Sequence, residues 1–194
     1  MAISPIDPYP MPTQQDLPKS LVSWRPDPER AVLLVHDMQA YFLSPYTSGR
    51  SPLTDLVENV RRLQRAAADM HIPVVFTAQP GGMTPAERGI QHDFWGPGMA
   101  AEPRHRRILD EVAPRDSDVV LTKWRYSAFV RTGLQQFLNG QHRDQLIICG
   151  VYAHLGCLIT ACDAFMRDIQ PFLVADAVAA FSPDEHRMAI EYVA

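Results

Sequence analysis

Five short apolar runs, rich in β-branched residues, punctuate the chain: Ala31-Val32-Leu33-Leu34-Val35, Pro73-Val74-Val75-Phe76-Thr77, Asp118-Val119-Val120-Leu121-Thr122, Gln145-Leu146-Ile147-Ile148-Cys149 and Pro171-Phe172-Leu173-Val174-Ala175. Between them the pattern changes period. Leu53, Leu56, Val57, Val60, Leu63 and Ala67 fall at helical spacing, as do Leu158, Ile159, Ala161, Cys162 and Phe165. Unbroken apolar runs are what parallel strands covered on both faces require, and helical crossovers are how parallel strands are joined. The pattern therefore predicts a doubly wound α/β domain with a five-strand sheet. Before the first run, Pro5, Pro8, Pro10, Pro12, Pro18, Pro26 and Pro28 crowd residues 1–30, which predicts an extended N-terminal arm. Tyr9, Leu21, Val22 and Trp24 give that arm apolar groups that would gain by docking. After the fifth run, Ser182-Pro183-Asp184-Glu185 reads as a helix start with Ser182 as cap and Glu185 at the capping-box position.

Composition narrows the class. At 194 residues, 46% hydrophobic and 21% charged, the chain is an ordinary globular one, long enough to bury roughly 70% of its unfolded surface without a staple. Its formal charge of −4 lacks the broad positive footprint of a nucleic-acid binder. Cys149, Cys157 and Cys162 form no CxxC pair, so neither a disulfide framework nor a zinc site is signalled, and a reducing cytoplasm is the expected location. The first residues show neither the basic nor the apolar region of a secretory leader, and no apolar run approaches the ~20 residues that span a bilayer. Neither export nor a membrane partner is expected.

Doubly wound sheets bind ligands beyond the carboxyl ends of their strands, so chemistry is sought there. Run one ends in His36-Asp37-Met38-Gln39, run two in Ala78-Gln79, run three in Lys123-Trp124-Arg125-Tyr126, and run four in Gly150-Val151-Tyr152-Ala153-His154-Leu155-Gly156. An Asp in the place of Asp37 also serves as a plain helix cap. Lys123 adds weight to a chemical role, because lysine stands only at positions 19 and 123 while 16 of the 18 basic residues are arginine. An ammonium is a compact point charge, unlike a guanidinium, although a lysine can also simply extend its head into water. Gly150 and Gly156 bracket a turn into a helix whose first N–H groups could face an anion, or serve backbone geometry alone. Arg88 and Phe94-Trp95-Gly96-Pro97-Gly98 lie in a long loop after run two, where they could close over a flat acidic ligand or pack as surface and core.

Taken together, Leu34-Val35-His36-Asp37-Met38-Gln39-Ala40-Tyr41-Phe42, Thr77-Ala78-Gln79-Pro80, Asp93-Phe94-Trp95-Gly96-Pro97-Gly98, Leu121 to Phe129 and Gly150 to Gly156 resemble the isochorismatases of the isochorismatase-like hydrolase superfamily. The resemblance implies a Rossmann-like three-layer α/β/α sandwich around a central parallel sheet, with residues 31–194 as the catalytic domain. It also implies a non-proline cis peptide near Val151-Tyr152 and a homodimer. Relatives continue into a further strand and some add an aryl carrier domain, so residues 31–194 are expected to be incomplete at the C-terminal end and a carrier-protein partner is left open. Nicotinamidase-like members carry a cysteine nucleophile at a position that falls here on Gly156. Cys157 is one residue further, and about 100° of helical rotation points it away. The Asp/His cluster that holds a metal in that branch has no counterpart here, so no metal or cofactor is expected; His36, His71 and His154 read as packed or surface side chains.

The activity implied is hydrolysis of the vinyl ether of isochorismate to pyruvate and 2,3-dihydro-2,3-dihydroxybenzoate, as in siderophore biosynthesis. Asp37 is the expected general acid and Lys123 its partner. Gln79, Arg88, Tyr152 and Gly156 are expected to hold substrate, and Phe42, Trp95 and Tyr126 to wall the pocket. One tension is inherent, since an ammonium beside Asp37 favours the carboxylate, the form that cannot donate a proton. The amino analogue, 2-amino-2-deoxyisochorismate, is the alternative substrate: Gly82 to Gly89 leans that way, whereas Gly156-Cys157 and Ala164 to Ile169 lean toward isochorismate. A Cys157 amidohydrolase and an idle binding protein are the remaining rivals.

Overall fold

A computed structural model describes residues 3–194. Its five strands are β1 (Ala31–His36), β2 (Val74–Ala78), β3 (Val119–Thr122), β4 (Gln145–Val151) and β5 (Gln170–Ala179). All pairs are parallel and the order is β3-β2-β1-β4-β5. Each predicted run became a strand; β1, β2 and β4 are buried along most of their length, whereas the edge strands β3 and β5 are partly exposed.

The helices are α1 (Ala40–Leu43), α2 (Leu53–Asp69), α3 (Pro85–Arg88), α4 (Gln91–Trp95), α5 (Pro103–Arg106), α6 (Leu134–Gly140), α7 (Leu158–Phe165) and α8 (Pro183–Val193). The two-residue period of β1 divides the core between them. Ala31, Leu33 and Val35 face Leu56, Val60 and Ala67 of α2. Val32 and Leu34 face the opposite layer, where Leu134 and Leu138 of α6, Leu158 and Ala161 of α7 and Ala189 of α8 pack. Three layers result, α/β/α, with β1 in the middle of the sheet and fully buried. At the start of α8, the Ser182 hydroxyl accepts from the Glu185 N–H at 3.2 Å, the cap its sequence predicts.

The chain first builds outward from β1 through β2 to β3, then returns to place β4 on the other side of β1. This reversal opens a crevice beyond the ends of β1 and β4, where neither crossover covers the sheet edge. His36 is in register with Gly150 across that junction. The Val151–Tyr152 peptide that follows is cis.

The proline-rich arm is hydrogen-bonded to the domain at both ends, the Leu21 N–H donating to the Ala194 carbonyl and the Asp27 N–H to Gln145, but only its first part buries side chains. Ile6 and Tyr9 are buried, and the Tyr9 hydroxyl accepts from the Ala180 N–H at 2.8 Å. Leu21 is 94% exposed, and Val22 and Trp24 also face solvent. The expectation that these three dock is therefore not met. They rim a groove of about 620 Å³ shared with Phe165, Met166 and Tyr192. No helix among the described residues is long and apolar enough to cross a membrane.

Candidate active site

β1 ends by delivering Asp37 into the crevice with its backbone turned into the left-handed region, φ 49°. That conformation is uncommon for a residue with a side chain and is held here by the neighbouring strand, since the Asp37 N–H donates to the Thr77 carbonyl at 3.2 Å. Thr77, on β2, also donates its hydroxyl to Asp37 Oδ1 at 2.7 Å. On the far side of β2, Lys123 follows β3 directly and sends Nζ to within 2.9 Å of Asp37 Oδ2. The same ammonium donates to the Arg125 carbonyl at 2.7 Å. Both side chains are sealed from solvent, at 4% exposure for Asp37 and 2% for Lys123. Asp37 caps no helix, because α1 begins after Gln39 without a side-chain cap, and the head of Lys123 does not reach water.

Burial by itself would raise the Asp37 pKa. The adjacent Lys123 ammonium outweighs it, helped by His36 and the Thr77 hydroxyl, and the carboxyl is held below its ordinary value. Ligand-free, the pair is a buried carboxylate and its counter-ion.

Arg88 is the second buried cation. It is 5% exposed, lies at the end of α3, and donates Nε to the Gly96 carbonyl at 3.1 Å. A capping box sets it there: the Thr84 N–H donates to Glu87 Oε2 at 2.8 Å, and the Glu87 N–H returns to Thr84 Oγ1 at 3.3 Å. The ionisable groups around it are the phenols of Tyr41 and Tyr126 and the Arg125 guanidinium, with no carboxylate among the described residues to neutralise it. A desolvated guanidinium without an anion is costly, so this position is prepared for one from outside.

The crevice encloses about 70 Å³, and its lining includes all nine predicted site residues: Asp37, Lys123, Gln79, Arg88, Tyr152, Gly156, Trp95, Phe42 and Tyr126. Gln79 reaches it because Gln39 clamps the end of β2: Gln39 Oε1 accepts from the Gln79 N–H at 2.7 Å and its Nε2 donates to the Gln79 carbonyl at 2.9 Å. Trp95 donates its indole N–H to the Tyr126 hydroxyl, fixing the aromatic wall. The Tyr152 hydroxyl donates to the Phe42 carbonyl, so a ligand meets its ring rather than its O–H. Burial pushes that phenol far above its usual range. The lining also contains His36 and Phe181, whose importance sequence reasoning missed. Phe181 follows β5 and packs edge-on against Tyr152 with ring centroids 4.5 Å apart. Thr77 and Gln39, which hold Asp37 and Gln79, were missed as well. For both the available signal was position, immediately before or after a strand end.

Gly156 sits in a π-helical turn, Ala153–Cys157, leading into α7. Cys157 is buried in the core on the α7 side and does not line the crevice, as the rotation argument predicts. Burial raises its thiol well above the ordinary value, which opposes thiolate formation. Among the described residues there is no group of three or more His, Cys, Asp or Glu side chains placed to hold a metal ion.

A sheet crevice containing a buried Asp–Lys pair meets its match in comparison with known proteins: the Isochorismatase domain family matches residues 31–194. The chain belongs to the isochorismatase family. Within it, the chain is 56% identical over 194 residues to an isochorismatase from Bacillus subtilis, covering 100% of this chain and 62% of that protein. The chain thus spans less than two thirds of that relative. It is 55% identical over 193 residues to the phenazine biosynthesis protein PhzD of Pseudomonas fluorescens, covering 99% of this chain and 92% of that one. Among solved structures, a cysteine hydrolase from Pseudomonas syringae superposes with a TM-score of 0.80 at 24% identity, over 91% of this chain and 90% of that one. This last likeness is one of fold, the three-layer α/β/α arrangement of isochorismatase-like hydrolases.

Proposed function

We propose that this isochorismatase-family chain hydrolyses the vinyl ether of isochorismate, giving pyruvate and 2,3-dihydro-2,3-dihydroxybenzoate, by proton transfer to carbon and without a covalent intermediate. The observation that carries this reading is the pairing of one buried carboxyl, Asp37 against Lys123 at 2.9 Å, with a second buried cation, Arg88, that has no carboxylate of its own. Such a site is cation-rich until an anionic ligand enters. The substrate supplies two carboxylates.

A vinyl ether resists water until its terminal methylene is protonated. Asp37 is the group placed to do this, shielded from solvent, with Oδ1 held by the Thr77 hydroxyl and Oδ2 by the Lys123 ammonium. A substrate carboxylate engaged by Lys123 draws that ammonium away from Asp37, a second one sits on Arg88, and the enclosed negative charge then raises the Asp37 pKa, which resolves the tension noted from the sequence. The acid form transfers its proton to the methylene carbon as the vinyl π electrons form the new C–H bond, leaving an oxocarbenium ion. Water adds to that cation and returns a proton to the Asp37 carboxylate. The resulting hemiketal breaks its C–O bond as its hydroxyl proton passes to the departing ring oxygen, releasing pyruvate and the ring alcohol, so no redox partner is involved. Gln79 and the helix start at Gly156 hold the enolpyruvyl carboxylate, and Phe42, Trp95, Tyr126 and the Tyr152 ring exclude bulk water. The protein acts in this reading as a cytoplasmic homodimer, whose mass sedimentation equilibrium measures.

A second substrate is favoured by one observation, the 55% identity to PhzD over nearly all of both chains. That reading keeps the chemistry and exchanges a ring hydroxyl for an amine. A coupled pyruvate assay with isochorismate and 2-amino-2-deoxyisochorismate side by side decides: higher kcat/KM for isochorismate is expected, the reverse order transfers the assignment, and no pyruvate from either removes it.

A further inference from the structure

His36 has been left aside as a packed histidine, yet it occupies the centre of the crevice. It is the last residue of β1, completely buried, with Thr77 of β2 on one side and Gly150 of β4 on the other. Its Nδ1 lies 2.8 Å from the Val151 carbonyl. A carbonyl only accepts, so Nδ1 carries the hydrogen, and a neutral ring leaves Nε2 bare. Nε2 is buried and makes no hydrogen bond among the described residues.

Two glycines confine this residue. A Cβ at Gly150 would stand 2.2 Å from the His36 carbonyl oxygen, so the backbone of His36 cannot move toward β4. A Cβ at Gly156 would stand 2.2 Å from His36 Cε1, 2.8 Å from Nε2 and 3.1 Å from Nδ1. The second case is the informative one. Gly150 has φ +107°, a conformation that disfavours other residues anyway, whereas Gly156 has ordinary helical backbone that any L-residue adopts. The three nearest atoms to its missing side chain all belong to one imidazole. What keeps position 156 bare is therefore the ring of His36 and not the local backbone.

We propose that His36 is a specificity-determining residue of this site: its imidazole fills the space of a side chain at position 156, so the floor of the crevice presents bare backbone to the ligand and excludes a side-chain nucleophile there. The position is chemically decisive because it lines the same crevice as Asp37 and Lys123. His36 Nδ1 is 3.8 Å from Asp37 Oδ2, so a thiol or hydroxyl replacing the ring would lie beside a carboxylate and an ammonium. Such a neighbourhood activates nucleophiles. With the ring in place, water is the nucleophile that remains, in agreement with the non-covalent route proposed above, on which the catalytic side of this inference rests.

The test uses reciprocal substitutions and two readouts that need no turnover. Gly156→Ala is expected to lower Tm by about 5 °C or more, because overpacking against a confined ring has no relaxation path. Adding His36→Ala is expected to recover part of that loss, since the methyl enters the vacated space, even though His36→Ala alone also destabilises. Losses that simply add in the double variant would overturn the proposal. A second pair tests exposure to ligand: in His36→Ala/Gly156→Cys, iodoacetamide followed by peptide mass mapping is expected to label the introduced thiol while Cys157 stays unmodified. An introduced thiol as inert as Cys157 would also overturn it. Because the wild-type pyruvate assay is independent of both readouts, failure here and failure of the proposed reaction are separate results.

Discussion

Asp37 combines two features rarely found in one residue, a strained left-handed backbone and a buried charge, and both follow from its being the first residue after a central strand. Strain of this kind persists only where surrounding bonds fix it, here those to Thr77. Asp37→Asn keeps the shape and the Thr77 contact but removes the transferable proton. It is expected to lower kcat by roughly 10²–10⁴ with little change in KM, read as pyruvate release. Wild-type-like turnover would reassign the acid.

His36 carries a second residue-scale consequence. Burial, the largest influence, pulls its pKa down to about 4, and the Lys123 ammonium adds to this while Asp37 and the Val151 carbonyl oppose it. The unfolded chain binds a proton near pH 6.5 that the folded ring refuses until about pH 4. Stability is thus complete above that window and falls as pH drops through it, by on the order of 3 kcal/mol for this group. Thermal unfolding at pH 7.5 and pH 5 is expected to show a steeper loss for wild type than for His36→Gln. Equal slopes would mean the ring titrates normally. From sequence, Asp37 and Lys123 could be chosen because strand ends face the crevice in any doubly wound sheet. His36 could not, since a histidine closing an apolar run reads as packed until the atom it touches is known.

At the scale of elements, the segment after β2 departs most from its sequence reading. Expected as a long loop, it contains α3 and α4, each of four or five residues and too short to show a helical period. Their work is to aim Arg88 and Trp95. Gly98, at φ +72°, closes the segment, and a Cβ there would stand 2.6 Å from Arg88 Cζ. Gly98→Ala is therefore expected to displace the guanidinium and raise KM by about 10–100-fold, the worth of a charged hydrogen bond, with a smaller effect on kcat. An unchanged KM would show that Arg88 does not hold the substrate carboxylate. The crevice volume of about 70 Å³ is below the ~300 Å³ usual for ligand sites.

For the molecule as a whole, the arm shows how distant parts are joined. Tyr9 reaches the end of β5 and the start of α8, with its hydroxyl 2.8 Å from the Ala180 N–H and 3.2 Å from His186 Nδ1. Tyr9→Phe leaves both groups buried without that partner and is expected to cost about 1–3 kcal/mol, measured by denaturant titration. No change would mean the arm rests on the surface without supporting it. The prediction that apolar arm residues dock held for Tyr9 and failed for Leu21, because composition says that burial is favourable but not whether a complementary surface lies within reach.

The amino-acid sequence by itself determined the strands, the α/β class, the docking of residue types at strand ends and the family, since each depends on local period or on motifs that do not need coordinates. Only the tertiary structure decided the strand order, the 2.9 Å approach of Lys123 to Asp37, the unpaired charge of Arg88 and the contact between His36 and Gly156. Those are relations between residues about 25 to 120 positions apart. Packing in three dimensions sets such distances, and no periodicity along one strand of chain carries them.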